Sequence, residues 1–182
     1  MDEEIDRVDV LTRASAIAER ALVAATQDEN LSIPLVERET WLTATVIHCD
    51  ILRMMVALDQ CPPEGIARLL WYGDIASALM EAKAWFFNKG NKNLISLAEA
   101  KGLDGKSIRS QLRQLADLSP LHELDKYSDY RNKVGHHYDH GLLEHLHTFS
   151  TMDAQQFFRL LTNYAEYSTG WVRLCKSVLQ LP

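Results

Sequence analysis

A chain of 182 residues is the usual size of one compact domain and can bury roughly 70% of the surface its unfolded form exposes. Its 47% apolar and 24% charged residues exclude a disordered tail and a fibrous repeat. No charge-free run approaches about 18 apolar residues, and the start, MDEEIDRVD, is acidic where a signal peptide is basic and then apolar, so a soluble, cytoplasmic chain without a membrane span is expected. Eight Gly and five Pro leave long uninterrupted stretches, which favours helices over a turn-rich sandwich. Cys49, Cys61 and Cys175 have neither disulfide-framework nor metal spacing, and Cys49 and Cys175 read as small core residues of apolar helical stripes.

In chain order, residues 4–27 read as a first helix, with Ile5, Val8, Leu11, Ile17, Leu22 and Ala25 near the 3.6-residue period. A second runs from about Pro34 to Gln60, Pro suiting a helix start, and its stripe is Leu42, Val46, Cys49, Leu52 and Val56. Pro62 and Pro63 stop it. A third spans about 64–88 and carries Leu69, Leu70, Ala76, Leu79, Met80, Ala84 and Phe87; a polar turn around Gly90 occupies 88–93. Two short helices, 93–101 ended by Gly102 and 105–118, look like a basic insertion between longer elements. Ser119-Pro120 opens another helix carried to about Tyr138, and the last, about 153–179, has the clearest period: Phe157, Leu161, Tyr164, Ser168, Trp171, Cys175 and Val178. The expected fold is a single-domain, all-α antiparallel bundle of about five main helices.

The net charge of −6 hides segregation. Residues 1–82 hold six basic against fifteen acidic side chains, residues 83–133 ten against six, and the rest three against four. The middle segment, with Arg109, Arg113, Lys126 and Lys133 among its cations, is a local basic region in an acidic protein.

In the helix opening at Pro120, Leu121, Leu124, Tyr127, Val134 and Tyr138 define a buried face, and Arg131 falls on it. A guanidinium where the local pattern asks for an apolar side chain marks strain or function, or a snorkelling Arg at the core's edge. Asn132 and His136, four residues apart, share one helical face, and His137 is next in the chain. A cation, an amide and an imidazole within a turn and a half suit phosphodiester cleavage by a neighbouring 2′-hydroxyl. His moves a proton near neutral pH, Arg stabilises the phosphorane charge, and Asn orients a phosphate oxygen or the imidazole; no metal is required.

The stretch Tyr130-Arg131-Asn132-Lys133-Val134-Gly135-His136-His137 resembles the Arg-Asn-x-x-x-His signature of the HEPN superfamily of helical nucleotide-binding domains. Arg131, Asn132 and His136 match position by position, and His137 also fits the permitted spacing, leaving two catalytic histidines open, with His136 preferred. In sequence the resemblance covers about ten residues, and in expected architecture most of the chain. It implies an all-α fold and a metal-independent endoribonuclease or RNA-binding protein of a toxin–antitoxin or phage-defence system. It also implies a homodimer whose two motifs face one cleft, and an antitoxin or regulatory protein as partner. Other members, such as the mannitol repressor group, are inactive regulators or partner-binding modules, and that is the competing expectation. Under the RNA reading Lys126, Lys133, Arg109 and Arg113 contact the phosphates.

Five of the seven histidines lie within 136–147. His136 and His140, at i and i+4, could share an ion, but HEXXH is absent and no carboxylate-rich helix completes a ligand set, so a solvated loop is the simpler account and no metal is assigned. Trp41, Trp71, Trp85 and Trp171 sit at helical spacing and read as core or interface rather than base-stacking platforms. No P-loop, GxGxxG, GxSxG or zinc-finger pattern occurs, and no cofactor is expected.

Overall fold

The computed structural model describes residues 34–60, 65–119, 121–128 and 154–179, together with Thr12, Ala16, Glu19, Arg20, Leu22, Val23 and Thr26. Those seven residues are helical, as expected for the 4–27 stretch, although Leu22 and Val23 are exposed. The rest of the description comprises five α-helices: α1 (Leu35–Gln60), α2 (Gly65–Trp85), α3 (Asn91–Ala100), α4 (Gly105–Leu118) and α5 (Ala154–Leu179). A π-helical turn, Phe86–Gly90, joins α2 to α3, and a 3-10 helix, Leu121–Tyr127, comes after α4. The described residues include no strand, so the protein is an all-α bundle. Cys61, Pro62 and Pro63 lie outside the described residues.

α5 is the central post. Phe157, Leu161, Tyr164, Ser168, Trp171, Cys175 and Val178, the stripe read from sequence, are all at most 1% exposed. Against it pack α1, α3, α4 and the 3-10 helix. Phe86, at the π turn, lies 5.3 Å from both the Tyr167 and the Trp171 rings, and Trp85 meets Trp171 edge-on at 5.7 Å. These tilted and edge-to-face arrangements place positive ring edges near negative faces, which adds to the burial of the rings themselves.

α1 starts after Pro34 as expected, the Pro34 carbonyl accepting from the Glu37 amide at 2.9 Å, but its orientation corrects the stripe read from sequence. Of Leu42, Val46, Cys49, Leu52 and Val56, only Val56 is buried, and Val46 is 51% exposed. The face turned inward instead carries Glu37, Thr40, Ala44, Thr45, His48, Ile51, Met54 and Leu58. Apolar residues ring most of α1, so burial alone does not choose a face; polar side chains that find partners on neighbouring helices do. Asn93 donates to Thr40 Oγ1 at 3.0 Å, Lys101 pairs with Glu37 at 3.2 Å, and His48 meets Ser168 at 2.8 Å. By length and composition alone α1 could cross a membrane; in this structure it is a wall of the bundle.

The polar turn expected over 88–93 is absent, because the helix runs on. The Asn91 amide donates to the Phe86 carbonyl, five residues back, so one extra residue enters the ladder and the chain continues into α3 without a break. Gly90 is helical here, at φ −56°, and its role is space: a Cβ would come within 2.8 Å of the Trp85 ring. The faces of α2 also differ in part from those expected. Leu70 and Ala84, and Phe87 of the π turn, face solvent, whereas Ala76 and Leu79, and Phe86 of the π turn, enter the core; the Leu69 side chain lies outside those described.

α3 begins at Asn91, two residues earlier than expected, and ends as predicted at Gly102, whose φ of +75° suits a residue without a Cβ. The Leu103 amide donates to the Ala98 carbonyl and the Gly102 amide to that of Glu99, closing the helix end. Asp104 then caps α4 by accepting from the Lys106 amide at 2.9 Å. These two short helices supply Leu94, Leu97, Ala98, Ile108 and Leu112 to the same core as α2 and α5. Beyond α4, Leu121 and Leu124 are buried as predicted, in a 3-10 helix whose three-residue repeat suits that spacing. The continuation of this element to Tyr138, with Val134, lies outside the described residues.

Candidate functional site

The motif residues Arg131, Asn132, His136 and His137, the cation Lys133 and the histidines of 136–147 all lie outside the described residues. The structure does define the frame on either side of them. Before the motif, the 3-10 helix is fixed by Leu121 and Leu124 in the core and by an ion pair between Asp125 and Lys83 of α2 at 2.7 Å. After it, α5 enters the core at Phe157. The Tyr127 and Phe157 rings meet edge-on at 5.5 Å, and Phe157 in turn lies 4.6 Å from the Tyr72 ring of α2. The two lengths of chain that bracket the motif are therefore clamped side by side on α2. The fully buried Tyr164 strengthens this clamp by donating to the Leu79 carbonyl at 2.6 Å.

Of the candidate RNA-contacting cations, Arg109, Arg113 and Lys126 are exposed. Arg109 and Arg113, with Lys106, share one exposed arc of α4 and make no ion pair among the described residues. Lys126 stands on the separate 3-10 helix. Two members of the basic middle segment are partly neutralised: Lys83 by Asp125 and Lys101 by Glu37.

A buried polar pair that sequence reading missed joins α1 to α5. His48, 8% exposed, contacts fully buried Ser168 through Nδ1. The Ser168 hydroxyl donates to the Ala165 carbonyl at 3.1 Å, which leaves its oxygen to accept from an Nδ1–H of neutral His48. Burial, aided by the positive Arg173, holds the His48 pKa below its usual value. The signal available in the sequence was Ser168 itself, a hydroxyl in an otherwise apolar stripe that needs a partner somewhere. With Ser168 fully enclosed and its proton committed, the pair ties helices together and is not a nucleophile with its base.

Other titratable groups in the core are equally inert. Burial pushes the Cys175 thiol up to about 12, with Glu37 adding to the effect, so it is no thiolate nucleophile at neutral pH. Cys49 is only half-buried, short of the core position expected of it. Tyr167 is likewise raised to about 12 by burial. Asn91, whose side-chain oxygen accepts from the Trp171 indole at 2.8 Å, stands near its hydroxyl, but no well-formed bond joins Asn91 to Tyr167. Trp171 is wholly buried and the other three tryptophans are partly buried against the core, matching the packing role read for them. No group of three His, Cys, Asp or Glu residues able to hold a metal occurs among the described residues.

Comparison of the chain with protein-family models, with curated proteins and with solved structures returns no match.

Proposed function

We propose that this chain is a HEPN-like protein that binds RNA and cleaves it without a metal ion, as the toxin or effector of a toxin–antitoxin or phage-defence system in the cytoplasm. The observation that carries the reading is the segment Arg131-Asn132-x-x-x-His136, which comes after a firmly anchored 3-10 helix and precedes the last long helix of an all-α bundle. His136 or His137 takes the proton of the attacking 2′-hydroxyl, Arg131 stabilises the charge on the phosphorane, and Asn132 orients the phosphate or the imidazole. Lys126, Lys133, Arg109 and Arg113 supply phosphate contacts whose strength falls with salt. Cleavage needs an acid as well as a base, and a homodimer that brings two motifs to one cleft provides both.

The test is incubation of the purified chain with structured and single-stranded RNA in EDTA. Cleavage is expected, and its loss in Arg131→Ala and His136→Ala. Ion pairing of Lys83 and Lys101 favours a second reading, an inactive HEPN-like regulator or partner-binding module, because it leaves fewer free cations for RNA. Inactivity across many RNAs by a folded protein selects that second reading.

A further inference from the structure

α4 and α5 leave between them a cleft of about 340 Å³, within the size range of small-molecule sites. α4 presents Gln111, Gln114, Leu115 and Leu118 to it, positions i, i+3, i+4 and i+7 of one helix side. α5 presents Gly170, Arg173, Leu174 and Ser177 at the same spacing, so two regular helix faces form the walls. Gly170 sets how closely they approach. A Cβ there would lie 2.5 Å from Leu115 Cδ2, so the leucine rests on bare α5 backbone.

The apolar part of the cleft is incompletely covered. Leu115 and Leu174 are only partly buried against the core, and Leu118, at 71%, is the most exposed of the large apolar side chains described. Its charge is of one sign. Arg173 is the single charged residue lining the cleft, and it makes no ion pair among the described residues. The Gln114 amide and the Ser177 hydroxyl also make no side-chain hydrogen bond among the described residues.

These groups select the ligand. One guanidinium with amide and hydroxyl donors beside it calls for an acceptor carrying one negative charge, and the two oxygens of a carboxylate match the planar fork of Arg. The leucines call for an apolar body on the same molecule; inorganic phosphate or acetate would leave them in water. A protein partner needs roughly 20–30 residues on each side of its interface, whereas eight line this cleft. From Gln111 to Leu118 the α4 wall runs about 10 Å, the reach of an extended chain of about eight carbons. We infer that the α4–α5 cleft binds a small aliphatic carboxylate, its head on Arg173 and Gln114 and its chain along Leu115, Leu118 and Leu174. The cleft is independent of the ribonuclease chemistry, because none of its residues belongs to the motif or to the cations assigned to RNA.

The experiment titrates the full chain, its leucine methyl groups labelled for NMR, with octanoate, acetate and octylammonium at submicellar concentrations. Octanoate should bind at least about tenfold more tightly than either of the others, with shifts concentrated on Leu115, Leu118 and Leu174. Arg173→Gln and Leu118→Ser, both at exposed positions, should each weaken octanoate binding at least about fivefold with unchanged helicity. Octylammonium or acetate binding as tightly as octanoate, shifts spread over the other leucines, or an Arg173→Gln protein that binds octanoate like the parent overturns the proposal. So do shifts of the same three methyl groups on dilution without octanoate, since they would assign the cleft to a second copy.

Discussion

α1 and α5 are both 26 residues long, and they show two ways in which a helix acquires an inside face. α5 keeps its large apolar residues on one arc except for Phe158, 40% exposed, so burial determines its orientation, and Ser168 is the one aliphatic hydroxyl in the stripe. α1 spreads apolar residues around its circumference, and its inward face is the one holding Glu37, Thr40, Thr45 and His48. A helix with apolar residues on every side has several faces of similar burial energy. The bonds that Glu37, Thr40 and His48 make to Lys101, Asn93 and Ser168 on neighbouring helices, roughly 0.5–1.5 kcal/mol each for the neutral ones, then decide among them. The remainder is an apolar outer surface on α1, and none on the inward stripe of α5.

That contrast can be broken at several points. The largest effect should come from α5. Trp171→Ala removes a wholly enclosed ring with its hydrogen bond to Asn91 and should cost about 3–5 kcal/mol, read as a lower denaturant midpoint. Gly90→Ala should cost about 1–3 kcal/mol, because the new methyl group meets a Trp85 ring already held between Phe86 and Trp171. Helicity should be retained in that variant, since Gly90 already has helical dihedral angles.

The joint between the two helices gives a pH signature. His48 is held neutral, with a pKa lowered in the folded state, so the unfolded chain takes up its proton first as pH falls. The stability this group contributes is complete above the ordinary histidine pKa of about 6.5 and declines as pH drops from there through the lowered folded value. Denaturant midpoints at successive pH values should fall across that window, and His48→Gln should flatten the fall. A slope unchanged by the substitution would show that His48 does not couple α1 to α5. The smallest effect belongs to the outer face of α1: Val46→Ser should change stability by no more than about 0.5 kcal/mol, whereas a core valine would cost several times that.

The same contrast explains how far the fold is legible in the sequence. The α5 stripe, the Gly102 stop, the bounds of α4 and the burial of Leu121 and Leu124 are legible because each rests on one local rule: period, positive φ, cap or spacing. Val46 and Cys49 are not, because periodicity cannot rank the faces of a helix that is apolar all round. The π turn reads as a break because Asn88-Lys89-Gly90-Asn91 has the composition of a turn; its helical path depends on Trp85, Phe86 and Trp171 packing around it, which is tertiary information. At the candidate site the frame is partly legible, with Tyr127 assigned to the buried face. The Lys83–Asp125 and Lys101–Glu37 pairs, which offset two cations of the basic segment, join residues 42 and 64 positions apart and leave no local pattern.

The proposed chemistry is tested most directly by the 3′ end of the RNA product formed in EDTA, read by mass spectrometry. Attack by the neighbouring 2′-hydroxyl, with Arg131 and His136 as its agents, predicts a 2′,3′-cyclic phosphate on the upstream fragment and no such product from the Arg131→Ala or His136→Ala protein. A 3′-hydroxyl end, or a cyclic phosphate that persists undiminished in both variants, would contradict it.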